Sequence, residues 1–163
     1  MNYFELFQLP AAPSVDRSIL AAKYFELQKE NHPDFFTQGT ETEQEHSLTL
    51  SADINKAFTI FQHEQRTIEY FLQTVGLLTE NEKYNLPADF LMEMMEINES
   101  LSEETEAVAA QKVTDYERSL YDEIKPVIRD YEPMTTSGED LQKLKAYYYK
   151  KKYLNRILDR LVD

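Results

Sequence analysis

Apolar residues recur at three- and four-residue steps along almost the whole chain, and that spacing commits it to helices. Leu20, Tyr24 and Leu27 fall on one helical face. Leu50, Ile54, Ala57, Phe58 and Phe61 fall on another, which Ile68, Phe71, Leu72 and Val75 continue. Phe90, Met94, Ile97 and Leu101 mark a third stripe, and Val113, Tyr116, Leu120, Ile124, Val127 and Tyr131 a fourth. Leu141, Leu144, Tyr147, Leu154, Leu158 and Leu161 mark the last. A strand-rich fold needs frequent turns, and 3 glycines with 6 prolines in 163 residues supply too few. The fold class is therefore all-α.

The breakers set the boundaries. Residues 3–9 form a brief first helix ended by Pro10 and Pro13, and Ser14 or Asp16 caps the next. That helix stops at Asn31-His32-Pro33, because a proline disfavours helical geometry in the residue before it. The polar residues 37–45 read as a loop. A long helix follows and runs to Gly76, which suits the position just past a helix end. Residues 77–86 lack a clear face and read as a linker. Pro87 opens the next helix in its first turn, and Pro126 predicts a kink in the helix after that. Residues 133–138 break the pattern again, with Ser137 and Asp140 spaced as a capping box. The chain thus divides into a first domain over 1–76, a linker over 77–86 and a second domain over 87–163. The three helices of the second domain have short connections and pack most simply as an antiparallel bundle.

Composition removes several functions. No cysteine is present, which excludes disulfides, thiol nucleophiles and any cysteine-ligated metal or cluster carried by this chain. With 17 basic and 30 acidic side chains the formal net charge is −13, which argues against nucleic acid and anionic membranes as partners. No apolar run approaches the roughly 20 residues of a spanning helix. The start has neither a basic targeting region nor an Arg-rich transit segment, so a cytoplasmic location is expected. Charge is uneven: residues 80–132 hold 5 basic and 15 acidic side chains, whereas 141–163 hold 7 and 2. The basic last helix, with Lys150-Lys151-Lys152, is expected beside acidic neighbours with its charges solvated, the alternative being a dedicated site for an acidic partner. No phosphate loop or nucleophile motif occurs. Glu43-x-x-His46 matches half of a di-iron element without the second copy that such a site needs. His63, within a helix, has no metal-ligand spacing around it. No enzyme, cofactor or metal is expected.

The informative tripeptide is His32-Pro33-Asp34. Pro33 fixes φ and removes a donor, which stiffens the turn after the helix. His32 offers an imidazole edge, and Asp34 a carboxylate suited to an arginine on another protein. With Tyr24-x-x-Leu27 before it and Tyr3-Phe4-Glu5-Leu6-Phe7-x-Leu9 at the start, this combination resembles the J domain. That is the helical hairpin, with flanking short helices, that activates DnaK-type chaperone ATPases. The resemblance implies that His32, Pro33 and Asp34 bind the chaperone, and that Arg17, Lys23 and Lys29 on the preceding helix assist. Residues 17–30 carry only one net positive charge, because Glu26 and Glu30 oppose these cations, so electrostatic steering should be modest. Two positions depart from the family pattern: the lysine that commonly follows the motif is Phe35 here, and the tyrosine that often precedes it is Asn31.

Ser51-Ala52-Asp53-Ile54-Asn55-Lys56-Ala57-Phe58, Arg66-x-x-Glu69-Tyr70-Phe71-Leu72 and Phe90-Leu91-Met92-Glu93 resemble the HscB family, the J-type co-chaperones of iron–sulfur cluster assembly. The likeness spans J domain, linker and three-helix bundle. It implies two partners, a DnaK/HscA-type chaperone ATPase and an IscU-type scaffold that carries the cluster. The scaffold-binding residues it implies are Leu91, Met92, Met95, Glu96, Glu99 and Glu103. It also implies an aromatic of the last helix, where gapless matching puts Ala146 with Tyr147 adjacent. The residues themselves agree with a second helix face: Leu91, Met92 and Met95 lie off the Phe90–Met94–Ile97–Leu101 stripe and beside Glu96 and Glu99. The competing readings are a J protein for another client and a structural helical protein with a coincidental tripeptide.

Overall fold

The computed structural model describes residues 1–162, with side chains as far as Arg160, so the Leu161 side chain lies outside the described residues. Seven α-helices and one 3-10 turn occur among the described residues, with no strand. The chain separates into two compact units, Met1–Gly76 and Leu77–Asp163.

In the first unit, α1 (Tyr3–Leu6) is held by a reciprocal cap between Asn2 and Glu5. Asp16 caps α2 (Arg17–Asn31), its carboxylate accepting from Ser18 and Ile19 amides. A 3-10 turn, Pro33–Phe36, follows at once, and then α3 (Glu41–Phe61) and α4 (Glu64–Thr74). Phe4, Phe7, Leu20, Ile54, Phe61 and Phe71 are buried together with Ile68 and Leu72. Phe61 is ringed by Phe4, Phe7 and Tyr70 at centroid distances of 4.9, 5.9 and 6.0 Å. Antiparallel α2 and α3 are also joined by polar bonds. Tyr24 and Gln28 both donate to Asn55 Oδ1, at 2.8 and 2.9 Å, and Ser47 Oγ donates to the Asn31 carbonyl at 3.1 Å.

Two expectations for this unit are corrected. Residues 41–45 are not loop but the first turns of α3. Thr40 and Glu43 cap one another there, so the polar residues are a helix start and not a gap between helices. The helix expected to run to Gly76 is two helices, broken at Gln62-His63, so His63 is the cap residue of α4 and not a helix-interior residue. The buried Thr67 hydroxyl bridges the break, reaching the Ile60 carbonyl at 3.2 Å and that of His63 at 2.9 Å. Gly76 does follow the end of α4, at φ +78°.

In the second unit, α5 (Ala88–Glu103), α6 (Glu106–Arg129) and α7 (Gly138–Val162) form the bundle. Pro87 precedes α5 as its cap residue and not within the first turn. Thr105 caps α6, and Ser137 Oγ accepts from the Asp140 amide at the start of α7. Ion pairing of Glu117 with Lys151 and ring contact of Tyr121 with Tyr147 fix α6 and α7 antiparallel. Phe90 seats α5 against both, 6.1 Å from Tyr116 and 5.8 Å from Tyr153. The buried set is Phe90, Met94, Val113, Leu120, Ile124, Leu144, Tyr147 and Leu154, with Ala109 and Tyr148. Ile128 and Ile157, not the expected Val127 and Leu158, complete it. Pro126 lies inside the last turn of α6, which extends to Arg129.

Residues 77–86 form no helix, yet they are not free chain. Leu78 is buried, and Glu82 accepts from Lys145 Nζ at 3.1 Å and from the Tyr149 hydroxyl at 2.8 Å. Tyr84 stacks on Tyr149 at 4.2 Å.

Candidate functional site

The first candidate surface is the turn after α2. His32 ends the helix, donating its amide to the Gln28 carbonyl, and leaves helical geometry at ψ 135° because Pro33 follows. Its Nδ1 accepts from the Asp34 amide at 3.2 Å. The proton of the neutral ring then sits on Nε2, the edge left for a partner. Asp34 Oδ2 is 3.6 Å from Nδ1, beyond hydrogen-bond reach, and the carboxylate projects into solvent. The turn is therefore a rigid display of one imidazole edge and one carboxylate.

The three cations that the resemblance adds are spread around α2. Lys29 lies three residues before His32 on the outward side of α2, whereas Arg17 and Lys23 sit on opposite flanks of the Leu20–Tyr24–Leu27 stripe. Lys23 Nζ donates instead to Gln8 Oε1 at 3.2 Å. What does flank the turn is aromatic: Phe25 is 71% exposed and Phe35 65%, the Phe35 ring meeting His32 edge-on at 6.2 Å. Sequence reasoning left Phe25 unassigned, although its absence from the buried stripe was a usable signal.

The second surface is the outer face of α5. Phe90 and Met94 turn into the bundle, which leaves Leu91, Met92 and Met95 outward, the last two 64% and 63% exposed. Glu96, Glu99 and Glu103 are exposed on the same half of the helix. Leu91, Met92 and Met95 thus share an outer face with Glu96 and Glu99, and Glu103, named only by the resemblance, lies on the same half of the helix. Tyr147 is not among them: only 7% exposed, it packs toward Tyr121 and lines a groove of about 120 Å³ between α6 and α7 with Leu120, Ile124 and Ala146. Lys150, Lys151 and Lys152 form no single patch but reach Phe90, Glu117 and Tyr148 respectively, Lys151 finding the acidic neighbour expected of the last helix.

Titration shifts mark structural rather than chemical positions. The Tyr149 hydroxyl, and after it Lys145, hold the Glu82 carboxyl below the usual carboxylate range against its partial desolvation. Burial, then Glu82, raises the Tyr149 phenol, and burial, then Glu93, raises that of Tyr116. Among the described residues no His, Asp and Glu cluster with metal-holding geometry occurs, and no helix is long and apolar enough to cross a membrane.

Known proteins share this arrangement. Residues 86–162 match the family model described as the HSCB C-terminal oligomerisation domain. The co-chaperone protein HscB homolog of Shewanella halifaxensis is 33% identical over 100% of both chains. That of Vibrio parahaemolyticus is 34% identical over 85% of this chain and 78% of its own. Among solved structures, human co-chaperone protein HscB superposes with a TM-score of 0.79 at 26% identity, covering 99% of this chain and 80% of the human one. Chaperone HscB from Vibrio cholerae superposes at 0.63 with 30% identity over 99% of each. Such identity along the full length, with the same helical architecture behind it, makes this chain a member of the HscB family, whose proteins are co-chaperones and not enzymes.

Proposed function

We propose that the chain is an adaptor of iron–sulfur cluster assembly in the cytoplasm, with one partner for each unit. His32, Pro33 and Asp34 engage a DnaK/HscA-type chaperone and speed its ATP hydrolysis by favouring its closed, client-holding state. Of the flanking cations, Lys29 is the one placed to join them, and Arg17 and Lys23 act from the sides of α2. Leu91, Met92 and Met95, rimmed by Glu96, Glu99 and Glu103, hold an IscU-type scaffold. Its complementary surface is apolar with a basic border. Tyr147, buried between α6 and α7, stands apart from that face. Binding both partners on one chain raises the effective concentration of scaffold at the chaperone. No nucleotide, metal or cluster is bound by the adaptor itself, so ATP chemistry stays on the chaperone and the cluster on the scaffold.

The observation that carries this reading is the outward display at the end of α2, a proline-set turn with an imidazole edge and a solvent-exposed carboxylate. Support for the scaffold arm is the pair of exposed methionines on a helix whose core stripe is already satisfied by Phe90 and Met94. Steady-state ATPase assays of a DnaK-type chaperone test the first arm. The chain should stimulate and His32→Gln should not; equal rates for the two remove the claim. Calorimetric titration with the scaffold tests the second. Leu91→Ala/Met92→Ala/Met95→Ala should weaken binding by about a hundredfold, as loss of a small hot spot does. Unchanged binding moves the site elsewhere. Chaperone stimulation with no scaffold binding at all assigns the bundle to another client.

A further inference from the structure

Phe25 and Phe35 take no part in the core of the first unit, and both rings stand largely in water. Their positions are not independent. The Phe35 ring lies edge-on to His32 at 6.2 Å, so a protein that covers the imidazole has the phenyl within reach. Phe25 is seven residues before His32, two helical turns or about 10 Å up the same side of α2, with Lys29 between them. The Phe35 ring is thus a neighbour of the imidazole, and helical spacing puts Phe25 two turns up the same side of α2. The cations do not reinforce it: Arg17 and Lys23 point to opposite flanks, Lys23 is engaged with Gln8, and Glu26 and Glu30 offset most of the positive charge of α2.

We infer that this chain grips its chaperone chiefly through the apolar pair Phe25 and Phe35, and not through the charge of α2. The chaperone surface it fits carries a cation for Asp34 next to an apolar patch wide enough for both rings. Phenyl burial is insensitive to ionic strength, whereas attraction between exposed charges is screened within about 10 Å at 0.1 M salt. Association should accordingly depend little on salt. The inference rests on the chaperone reading above and concerns what supplies the affinity at that site. His32 and Asp34 keep their role in stimulation.

The test titrates the ATPase of a DnaK-type chaperone with the full chain, with Phe25→Ser/Phe35→Ser and with Phe35→Lys. Each titration is run at low salt and at roughly 0.3 M. For the unaltered chain the half-maximal concentration should move by less than about threefold between the two salts, because few charge contacts are lost. The double serine variant should raise it about tenfold or more while reaching the same maximum at saturation. Phe35→Lys should bring a clear salt dependence. Both phenylalanines are exposed, so the thermal melt of each variant should match that of the parent, and the single variant Phe25→Ser guards against a local effect on the turn. An unchanged half-maximal concentration in the double variant overturns the inference, as does a steep salt dependence of the unaltered chain. If the unaltered chain stimulates at neither salt, the chaperone reading itself falls and takes this inference with it.

Discussion

Thr67 shows how one hydroxyl can set a helix boundary. It is buried on α4 and donates to carbonyls on both sides of the α3–α4 break, so the chain turns there without glycine or proline. Thr67→Val keeps the shape and removes the bridge, and it should lower the stability of the first unit by about 1 kcal/mol. Urea denaturation reads that loss directly, and an unshifted midpoint would deny the hydroxyl its part. The same residue explains a limit of the sequence. His32-Pro33-Asp34 was legible because proline acts on its immediate neighbours through fixed φ and steric exclusion. The break at Gln62-His63 was not, because it depends on a bond to a side chain several residues away, and apolar spacing runs straight through it. Phe25 and Phe35 sit between these cases. Phe25 went unassigned although it falls off the Leu20–Tyr24–Leu27 stripe, and only the fold shows that both rings are exposed and that Phe35 lies against His32.

Among whole elements, the stripes that face a core were the most legible. Leu20, Ile54, Phe61, Phe90, Met94, Val113 and Leu120 all lie where their spacing put them. The outward face of α5 was legible only through the family resemblance, because Leu91, Met92 and Met95 taken alone fit a broadly buried core helix as well. The first turns of α3 were not legible, because residues 41–46 are all exposed and offer no apolar period. Residues 77–86 also lack a period, and their order comes from a clasp onto α7. In that clasp Glu82 must be ionised and Tyr149 protonated. The folded carboxyl titrates below its unfolded value, so its contribution is present at neutral pH and fades as pH falls through the carboxylate range. The folded phenol titrates above its unfolded value, so its contribution holds below about pH 10 and is lost as pH climbs beyond. Glu82→Gln should therefore cost about 1–2 kcal/mol at neutral pH, with the gap to the parent narrowing on acidification. Paired thermal melts across pH give the answer, and a gap independent of pH would show that Glu82 acts by shape alone.

Across the molecule, charge divides the labour between the two units. Much of the basic character of α7 is spent inside the second unit, with Lys145 on Glu82, Lys151 on Glu117 and Lys143 near Glu139 and Asp140. Part of the acidic excess that remains borders the α5 face, where Glu96, Glu99 and Glu103 stand in solvent, and part lies on α6 at Asp115, Asp122 and Glu123. The first unit offers phenyl rings at its turn instead. The two arms should thus differ in what disturbs them, and the methionines of α5 give the sharpest case. Met92 and Met95 present their thioethers to solvent while Met94, between them, is sealed in the bundle. Dilute peroxide should convert the outer two to sulfoxides first, making an apolar grip polar without unfolding the helix. Peptide mass mapping should find Met92 and Met95 altered ahead of Met94. Scaffold affinity should fall in step and return with methionine sulfoxide reductase, while chaperone stimulation is retained. A chain without a single thiol would then still carry an oxidant-sensitive surface, at the face proposed to hold the cluster scaffold.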